Sequence, residues 1–227
     1  MDYDVPLLAA IERGGSVRTF RFERPEGLDF RAGQYFLLRL DDRLVKPFSF
    51  SSSPSEEGYF EFTTRLSGSE FKTALSRLKT KDRVHVIGPN GKFTLNEAHS
   101  RVVFLAGGIG VTPFRSMCKW AADMSLDCDI ALLWGVNSIE DAFFRDDFES
   151  MKAINPRLRT LYVPSKPPDN WTGPSGVIRL DILREHVPDY NQRVFYVCGP
   201  PKMVEAVGRM LAEANVTPDR LIKEQFG

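Results

Sequence analysis

Cysteine is scarce in this sequence, and its cysteines are not arranged as metal ligands. Cys118, Cys128 and Cys198 are an odd number among 227 residues, and no two of them have C-x-x-C spacing. These facts argue against a disulfide framework and against a zinc or iron–sulfur site built by this chain alone. The sequence therefore predicts no metal site, and a reducing cytoplasm is the simplest location for the protein.

Long apolar segments and an excess of charge are also missing. No apolar run approaches the roughly 20 residues that a transmembrane helix needs, and residues 1–4 lack the pattern of a signal peptide. The 30 basic and 30 acidic side chains cancel, so bulk charge favours neither nucleic acid nor a membrane surface as a partner. What remains is the composition of a soluble globular protein.

The first hundred residues are predicted to be mostly β-structure. Short segments of alternating or clustered apolar residues are separated by glycine and proline turns. The predicted strands are residues 16–23, 34–40, 46–51, 59–64 and 84–87. One helix is predicted at residues 70–79. Several short strands with little helix favour an antiparallel barrel or a sandwich.

The pattern changes from residue 101 onwards to alternating strands and helices. The predicted strands are residues 102–106, 130–134, 158–163 and 194–197, and the predicted helices are residues 114–123, 140–152, 179–185 and 201–215. This alternation predicts a doubly wound parallel α/β sheet. Residues 96–100 form a polar link between the β-rich segment and the segment of alternating strands and helices. We therefore predict two domains, residues 1–98 and residues 99–227.

A glycine-rich turn follows the first strand of the second half. Gly107 and Gly108 end the buried run, Gly110 follows after one residue, and Pro113 stands where a helix would begin. Glycines let backbone N–H groups approach a ligand closely, and a helix N-terminus carries partial positive charge, so this turn suits a phosphate. Alone, it is also compatible with an ordinary tight turn. Ligands of open α/β sheets bind at the carboxyl ends of the strands, where residues 198–200 also lie.

A second candidate phosphate site precedes the predicted helix of the β-rich half. Three small residues, Ser67, Gly68 and Ser69, directly precede the helix, and Ser69 is a candidate for its N-cap. A plainly capped helix explains these residues equally well.

Five motifs, taken in order, resemble those of the ferredoxin–NADP reductase family. They are residues 46–52 (KPFSFSS), 88–93 (GPNGKF), 107–113 (GGIGVTP), 198–201 (CGPP) and 224–226 (EQF). Together they span almost the whole chain. The resemblance implies an N-terminal flavin-binding β-barrel, a C-terminal nicotinamide-nucleotide domain, and hydride transfer between NAD(P)H and a flavin.

The resemblance assigns the flavin to the first half of the chain. The family's strand motif is usually Arg-x-Tyr-Ser, whose Arg binds flavin phosphate, whose Tyr packs on the isoalloxazine and whose Ser approaches flavin N5. The matching residues here are Lys46, Pro47, Phe48 and Ser49. Lys46 has the positive charge of the family's Arg but not its bidentate hydrogen-bonding geometry. Phe48 has the aromatic ring of the family's Tyr but not its hydroxyl. The expected cofactor is FAD, with FMN as an alternative, and its phosphates would be held by the backbone of Ser67, Gly68 and Ser69.

The nicotinamide nucleotide is assigned to the second half in the same way. The implied binding residues are Gly107, Gly108, Gly110, Thr112, Pro113, Cys198, Gly199 and Pro200. Cys198 would contact nicotinamide C4, and Phe226 would cover the flavin where the nicotinamide enters. Glu224 would help to pass a proton toward Ser49. The simpler alternatives are a buried structural thiol for Cys198 and a core side chain for Phe226.

The choice between NADH and NADPH depends on the residues after the second α/β strand. A 2′-phosphate requires Arg or Lys there, but residues 135–138 contain neither, and Glu140 and Asp141 follow. This favours NADH, although Arg145 and Lys166 could reach over.

The electron acceptor is expected to be a separate molecule. The chain lacks the C-x₄-C-x₂-C set of a plant-type [2Fe–2S] domain, so the acceptor would be a ferredoxin, an oxygenase component or free flavin. The expected function is thus an FAD-containing NAD(P)H reductase. One alternative is an NAD(P)H:flavin reductase that uses flavin as a substrate, which Phe48 and Lys46 favour. Another is a non-catalytic flavin- or nucleotide-binding subunit of a larger complex.

Overall fold

Six antiparallel strands form the N-terminal half of the protein in a computed structural model, which describes residues 1–226. They are β1 (Asp2–Glu12), β2 (Val17–Glu23), β3 (Tyr35–Arg39), β4 (Val45–Ser49), β5 (Tyr59–Arg65) and β6 (Arg83–Asn90). Their order in the sheet is β4-β3-β6-β1-β2-β5. The two edges meet, because the Ser51 N–H after β4 donates to the Glu61 carbonyl of β5 at 2.7 Å. The sheet therefore closes as a barrel rather than opening as a sandwich.

The first strand is not predicted by the sequence pattern. A shift in register between Leu7 and Ala9 marks a β-bulge in β1, and such a bulge breaks the alternation by which strands are recognised. Pro6 lies in the same segment. The other five strands of the barrel match their predicted positions with small changes in their ends.

Phenylalanine side chains fill the barrel and support the strand that carries Phe48. Phe20 stacks on Phe62 with ring centroids 5.3 Å apart, and Phe36 lies edge-on to Phe62 at 5.8 Å. Phe48 contacts Phe62 at 4.3 Å and stays half-buried. The aromatic core thus holds one side of the Phe48 ring and leaves the rest of it at the barrel surface.

A short helix, α1 (Glu70–Ser76), follows β5 along the chain and packs on the barrel core before β6. Ser69 is its N-cap and accepts a hydrogen bond from the Lys72 N–H at 3.4 Å. The helix ends earlier than the predicted residue 79. Phe71 and Leu75 are buried in the barrel core, so the packing of these two side chains sets the orientation of the helix.

Five parallel strands form the second half, in the order β11-β10-β7-β8-β9. They are β7 (Arg101–Gly107), β8 (Asp129–Val136), β9 (Leu158–Pro164), β10 (Val194–Gly199) and β11 (Leu221–Gln225). The helices are α2 (Thr112–Asp123), α3 (Arg145–Ile154), α4 (Leu180–His186) and α5 (Pro201–Glu213).

Alternate residues of β7 face opposite sides of this sheet. Phe104 belongs to the hydrophobic core that includes residues of α2 and α3, and Leu105 belongs to the core that includes residues of α4 and α5. Helices therefore cover both faces, and the predicted doubly wound α/β fold is confirmed. Residues 91–100 connect it to the barrel, and the domain limits 1–98 and 99–227 stay a prediction.

Two elements of the second half differ from the sequence prediction. The helix expected over residues 140–152 begins only at Arg145, because Ser138 and Asp141 cap each other in a separate 3₁₀ turn, Ile139–Asp141. The strand β11 is not predicted, since residues of its short segment are only half-buried or exposed. This missed strand carries Glu224 into the sheet.

Candidate active site

The two turns at the carboxyl ends of β7 and β10 pack backbone against backbone. A methyl carbon added at Gly110 would lie 2.5 Å from the Cys198 carbonyl oxygen, and one added at Gly199 would lie 3.1 Å from the Gly107 nitrogen. Gly108 has φ +52°, which favours glycine. Glycine is thus required here by close approach of the two turns. The structure brings together the turns that the sequence placed at one edge of the sheet.

The helix that follows the first turn starts earlier than expected, at Thr112. A 3₁₀ turn, Gly108–Val111, leads directly into α2, with Pro113 in its first turn. Thr112 is buried, and its hydroxyl donates to the Ile109 carbonyl at 3.1 Å. The glycine turn is therefore held firmly against the start of α2.

The last strand places Glu224 and Phe226 beside these turns. Cys198 is the register partner of Glu224 in the β10–β11 ladder. The Phe226 N–H donates to the Gly199 carbonyl at 3.0 Å. This parallel pairing fixes the C-terminal residues at the mouth of the sheet, where ligands of such folds bind.

A cleft of about 610 Å³ lies between the barrel and the α/β half. On the barrel side its lining includes Lys46, Pro47, Phe48, Ser49 and Ser69, and on the α/β side it includes Thr112, Glu224 and Phe226. Eight predicted site residues from both halves thus share one cavity. Its volume lies in the range of small-molecule and cofactor sites.

Other predicted residues are close in the chain but do not line this cleft. They are Ser67, Gly68, Gly107, Gly108, Gly110, Pro113, Cys198, Gly199 and Pro200. The Ser69 hydroxyl is occupied as the N-cap of α1, and the neighbouring Gly68 is exposed. The phosphate role of the Ser67–Ser69 backbone stays a prediction, as do the roles of the glycine turn.

Two buried polar atoms of the cleft lack hydrogen-bond partners within residues 1–226. They are the hydroxyl oxygen of Ser49, a residue only 5% exposed, and Oε2 of Glu224. Buried polar atoms in native proteins are nearly always paired, since leaving one unpaired costs about 1–3 kcal/mol. The pair therefore points to a polar ligand in the cleft, and a flavin, which carries ring nitrogens and carbonyls, fits this donor and acceptor set.

Burial changes the acidity of both Glu224 and Cys198. It raises the pKa of the Glu224 carboxyl to about 7. Burial also raises the pKa of the Cys198 thiol well above its usual range, and the charge of Glu224 adds to this effect. Cys198 is therefore a neutral thiol at physiological pH, which suits a contact residue and not a covalent nucleophile. Glu224 can hold or release a proton near neutral pH.

Buried ion pairs connect the two halves beside the cleft. The guanidinium of Arg115 in α2 is bonded to Glu56 of the barrel and, at 3.0 Å, to Asp147 of α3. It also donates to the Ser51 carbonyl at 3.1 Å, and the hydroxyl of the next residue, Ser116, donates to the barrel backbone at 2.6 Å. These bonds hold the segment that follows β4 against the start of α2. We expect these bonds to fix the distance between the two walls of the cleft.

Eight residues that line the cleft are absent from the predicted site: Tyr35, Thr63, Thr64, Arg65, Phe71, Lys72, Ile109 and Gln225. Tyr35 is next to Ser49 across the β3–β4 ladder, and the alternation of residues 59–64 could have indicated the two threonines. Lys72 lies on a helix face that sequence alone assigns to solvent. Only the packing of α1 on the barrel brings it into the cleft.

The fold and the cleft define a class of protein, a two-domain flavoprotein with a nicotinamide-nucleotide domain. A family model described as oxidoreductase FAD-binding domain matches residues 4–95, and one described as oxidoreductase NAD-binding domain matches residues 104–209. The chain thus contains an oxidoreductase FAD-binding domain followed by an oxidoreductase NAD-binding domain, in the fold of a ferredoxin–NADP reductase. The two predicted binding domains, one for FAD and one for a nicotinamide nucleotide, are therefore confirmed.

Curated relatives include part of a sodium-translocating enzyme. The chain is 27% identical over 207 residues to one subunit of the Na(+)-translocating NADH-quinone reductase of Pseudomonas aeruginosa, covering 85% of this chain and 51% of that relative. It thus spans about half the length of the curated relatives that it matches. No helix within residues 1–226 has the length and apolar character needed to cross a membrane.

Solved structures share the fold over the whole chain. A ferredoxin NADP+ reductase from Neisseria gonorrhoeae with bound FAD and NADP superposes with a TM-score of 0.84 at 18% identity, covering 99% of this chain and 98% of that one. The cytochrome b5 reductase domain of Ulva prolifera nitrate reductase has a TM-score of 0.87 at 22% identity, covering 99% and 97%. At these identities the likeness establishes the fold alone.

Proposed function

We propose that the protein takes a hydride from NAD(P)H onto FAD held in the cleft and passes the electrons to a separate redox partner. The observation that carries this proposal is the cleft between barrel and nucleotide domain, in which the buried Ser49 hydroxyl and Glu224 carboxyl have no partner among the described residues. Bound FAD would accept two electrons together and release them one at a time.

The protein residues have binding and orienting roles in this proposal. Lys46 and the Phe48 ring would hold the flavin from the barrel side, and the Ser49 hydroxyl would donate to a ring nitrogen. The glycine turn at Gly107 would bind the pyrophosphate of the nucleotide. The most important requirement would be that the nicotinamide stacks correctly on the flavin ring, because the reacting atoms need to be about 3–3.5 Å apart.

Residues of the last two strands would control proton and water access. Glu224 would hold a proton at Oε2 and help to pass it toward the Ser49 hydroxyl. The Phe226 ring would exclude water until the nicotinamide displaces it, and Cys198 would then contact the nicotinamide. These roles are supported by the positions of Glu224 and Phe226 in the cleft lining and by the neutral thiol of Cys198, which is paired with Glu224 in the sheet.

NADH is the proposed donor. Asn137 and Ser138, which follow β8, offer no cation to a 2′-phosphate, and Ser138 is engaged in capping Asp141. The Asp141 carboxylate in turn accepts from Arg65 of the barrel at 2.9 Å. Arg145 lies further on, with its guanidinium 5.9 Å from the centre of the Tyr162 ring.

The acceptor is proposed to be a protein, either a ferredoxin, an oxygenase component or another subunit of a larger complex. One similar structure is named as the ferredoxin reductase in carbazole 1,9a-dioxygenase, and the curated relatives are named for a sodium-translocating quinone reductase. The absence of a membrane partner therefore stays a prediction. The buried free cysteines favour a reducing compartment such as the cytoplasm.

A second candidate is a flavin reductase that releases its flavin after each turnover. The exposure of Lys46 and of Gly68 favours this alternative, because an open phosphate site binds weakly. A non-catalytic binding subunit has less support, since both matching domains are named as oxidoreductase domains.

The visible spectrum of the purified protein tests these alternatives. It is followed anaerobically while NADH and, in a separate sample, NADPH are added. Flavin bands that bleach rapidly with NADH and slowly with NADPH would support a bound flavin and the proposed donor. A colourless protein that oxidises NADH only when flavin is added would support the second candidate. A colourless and inert protein would contradict both.

A further inference from the structure

Lys72 is a cation in an apolar environment at the edge of the cleft. Its ammonium lies 4.3 Å from the centre of the Phe48 ring and 6.0 Å from that of Phe71. It donates a hydrogen bond to the Thr64 hydroxyl. The side chain is half-buried and forms part of the cleft lining. The lysine therefore points at the space where the flavin is proposed to lie, and not at bulk solvent.

No carboxylate within residues 1–226 pairs with this ammonium. The charged group that acts on it is a second cation, Lys46, which lines the same cleft from β4. Burial and the charge of Lys46 together lower the pKa of Lys72 to about 8. Desolvating an unpaired cation next to a like charge is costly, and an anion between the two lysines would remove that cost.

We infer that Lys72 is a phosphate ligand of the flavin, acting together with Lys46 across the cleft. This inference rests on the proposed function. A phosphate group of FAD or FMN supplies the missing anion, and riboflavin does not. An arginine can bind a phosphate through two N–H groups of its guanidinium, and a single lysine cannot. The ammonium groups of Lys46 and Lys72 together would provide two contacts to the phosphate. The phosphate contact would then depend on a side chain of α1, and less on the backbone of residues 67–69.

Flavin affinities of the apoprotein test this role directly. The dissociation constants of FAD, FMN and riboflavin are measured by quenching of flavin fluorescence for the wild type, Lys72→Met and Lys72→Gln. The matched control is Lys79→Met, which removes an exposed lysine just beyond α1. Loss of one charged hydrogen bond weakens binding by about tenfold to hundredfold. We expect that loss for FAD and FMN in both Lys72 variants, an unchanged riboflavin affinity, and no change in Lys79→Met.

The Lys72→Gln variant and the riboflavin measurements show whether a loss of FAD affinity comes from misfolding. Glutamine keeps a donor for Thr64 without the charge, and riboflavin binding reports an intact cleft. Equal FAD affinity in wild type and Lys72→Gln would overturn the inference. So would a parallel loss of FAD and riboflavin affinity, which would make Lys72 structural. A wild type that binds none of the three flavins would instead contradict the proposed function.

Discussion

Cys198 and Glu224 face each other across two neighbouring parallel strands. They are register partners in the β10–β11 ladder, and the charge of Glu224 helps to raise the pKa of the Cys198 thiol. A backbone ladder therefore couples the thiol proposed to contact the nicotinamide with the carboxyl proposed to carry a proton.

The raised pKa of Glu224 predicts a pH-dependent stability of the apoprotein. Its pKa is about 7 in the folded chain against 4.5 for an ordinary Glu, so the folded state retains a proton that the unfolded state has lost. The free energy of unfolding should therefore fall between about pH 5 and pH 8. Glu224→Gln should lessen this fall by about 1–2 kcal/mol, less than the full shift because the side chain is partly exposed.

Urea unfolding of the apoprotein at pH 5 and pH 8 measures this effect. The control is Glu213→Gln, which changes an exposed carboxyl at the end of α5. The same pH dependence in wild type and Glu224→Gln would show that the buried carboxyl does not titrate as inferred.

Replacement of Cys198 by alanine should slow hydride transfer and leave the flavin bound. The thiol is fully buried at the end of β10, beside the proposed nicotinamide position. A small error in the position of reacting groups costs up to about a hundredfold in rate. Stopped-flow bleaching of the flavin by NADH should therefore slow by about tenfold to hundredfold.

Cys118→Ala is the matched control, because Cys118 is an equally buried thiol on the core-facing side of α2. Its reduction rate should stay near that of the wild type. Loss of flavin from Cys198→Ala would make this thiol structural, and equal slowing in both variants would indicate a general packing effect.

Removal of the Phe226 ring should tighten the binding of the nicotinamide nucleotide. The ring is half-buried and lines the cleft, so an entering nicotinamide must displace it. Exposing part of an aromatic ring costs about 1–2 kcal/mol. Phe226→Ala should thus lower the dissociation constant of NAD+ by about tenfold, measured by difference spectra of the flavoprotein.

Tyr190→Ala is the comparison variant for this experiment. Tyr190 is also half-buried, but it lies before β10, at the end of that strand away from Gly199, and does not line the cleft. Its NAD+ affinity should not change. Unaltered NAD+ affinity in Phe226→Ala would argue against a covering role.

Periodicity and glycine chemistry predict the parts of the fold that depend on local pattern. The buried run before Gly107 and the helix after Pro113 are recognisable because strand, turn and helix each leave a distinct signal. The contact of Gly110 with the Cys198 carbonyl agrees with the rule that ligand-binding turns gather at the carboxyl ends of parallel strands.

The parts that sequence reasoning missed depend on contacts between distant residues. Lys72 looks like a solvent-exposed helix residue until α1 is packed on the Phe48 strand. From the sequence, Arg115 is expected on the solvent-exposed polar face of α2. It is only 6% exposed, because its ion-pair partners come from the barrel and from α3 and cover it. No local pattern encodes such pairs.

Arg115 also leads to a prediction on the stability of the two-domain structure. Its guanidinium is bonded to Glu56 and Asp147 in a buried network. Removing one partner of such a network leaves a buried charge uncompensated and costs about 3–5 kcal/mol. Arg115→Met should lower the free energy of urea unfolding by this amount, and Arg157→Met, which breaks an exposed pair with Asp127, should lower it by less than about 1 kcal/mol.

The same network predicts a loss of stability in acid. Burial opposes the charge on Glu56, but the hydrogen bond and charge of Arg115 outweigh it and lower the pKa of this carboxyl below 4.5. Its contribution is therefore complete above about pH 5 and is lost as the pH falls through the folded pKa. Unfolding free energies measured from pH 6 down to pH 3 should fall more steeply for the wild type than for Glu56→Gln. Parallel curves would mean that Glu56 is not held ionised by Arg115, and the proposed fixing of the cleft walls would lose its main support.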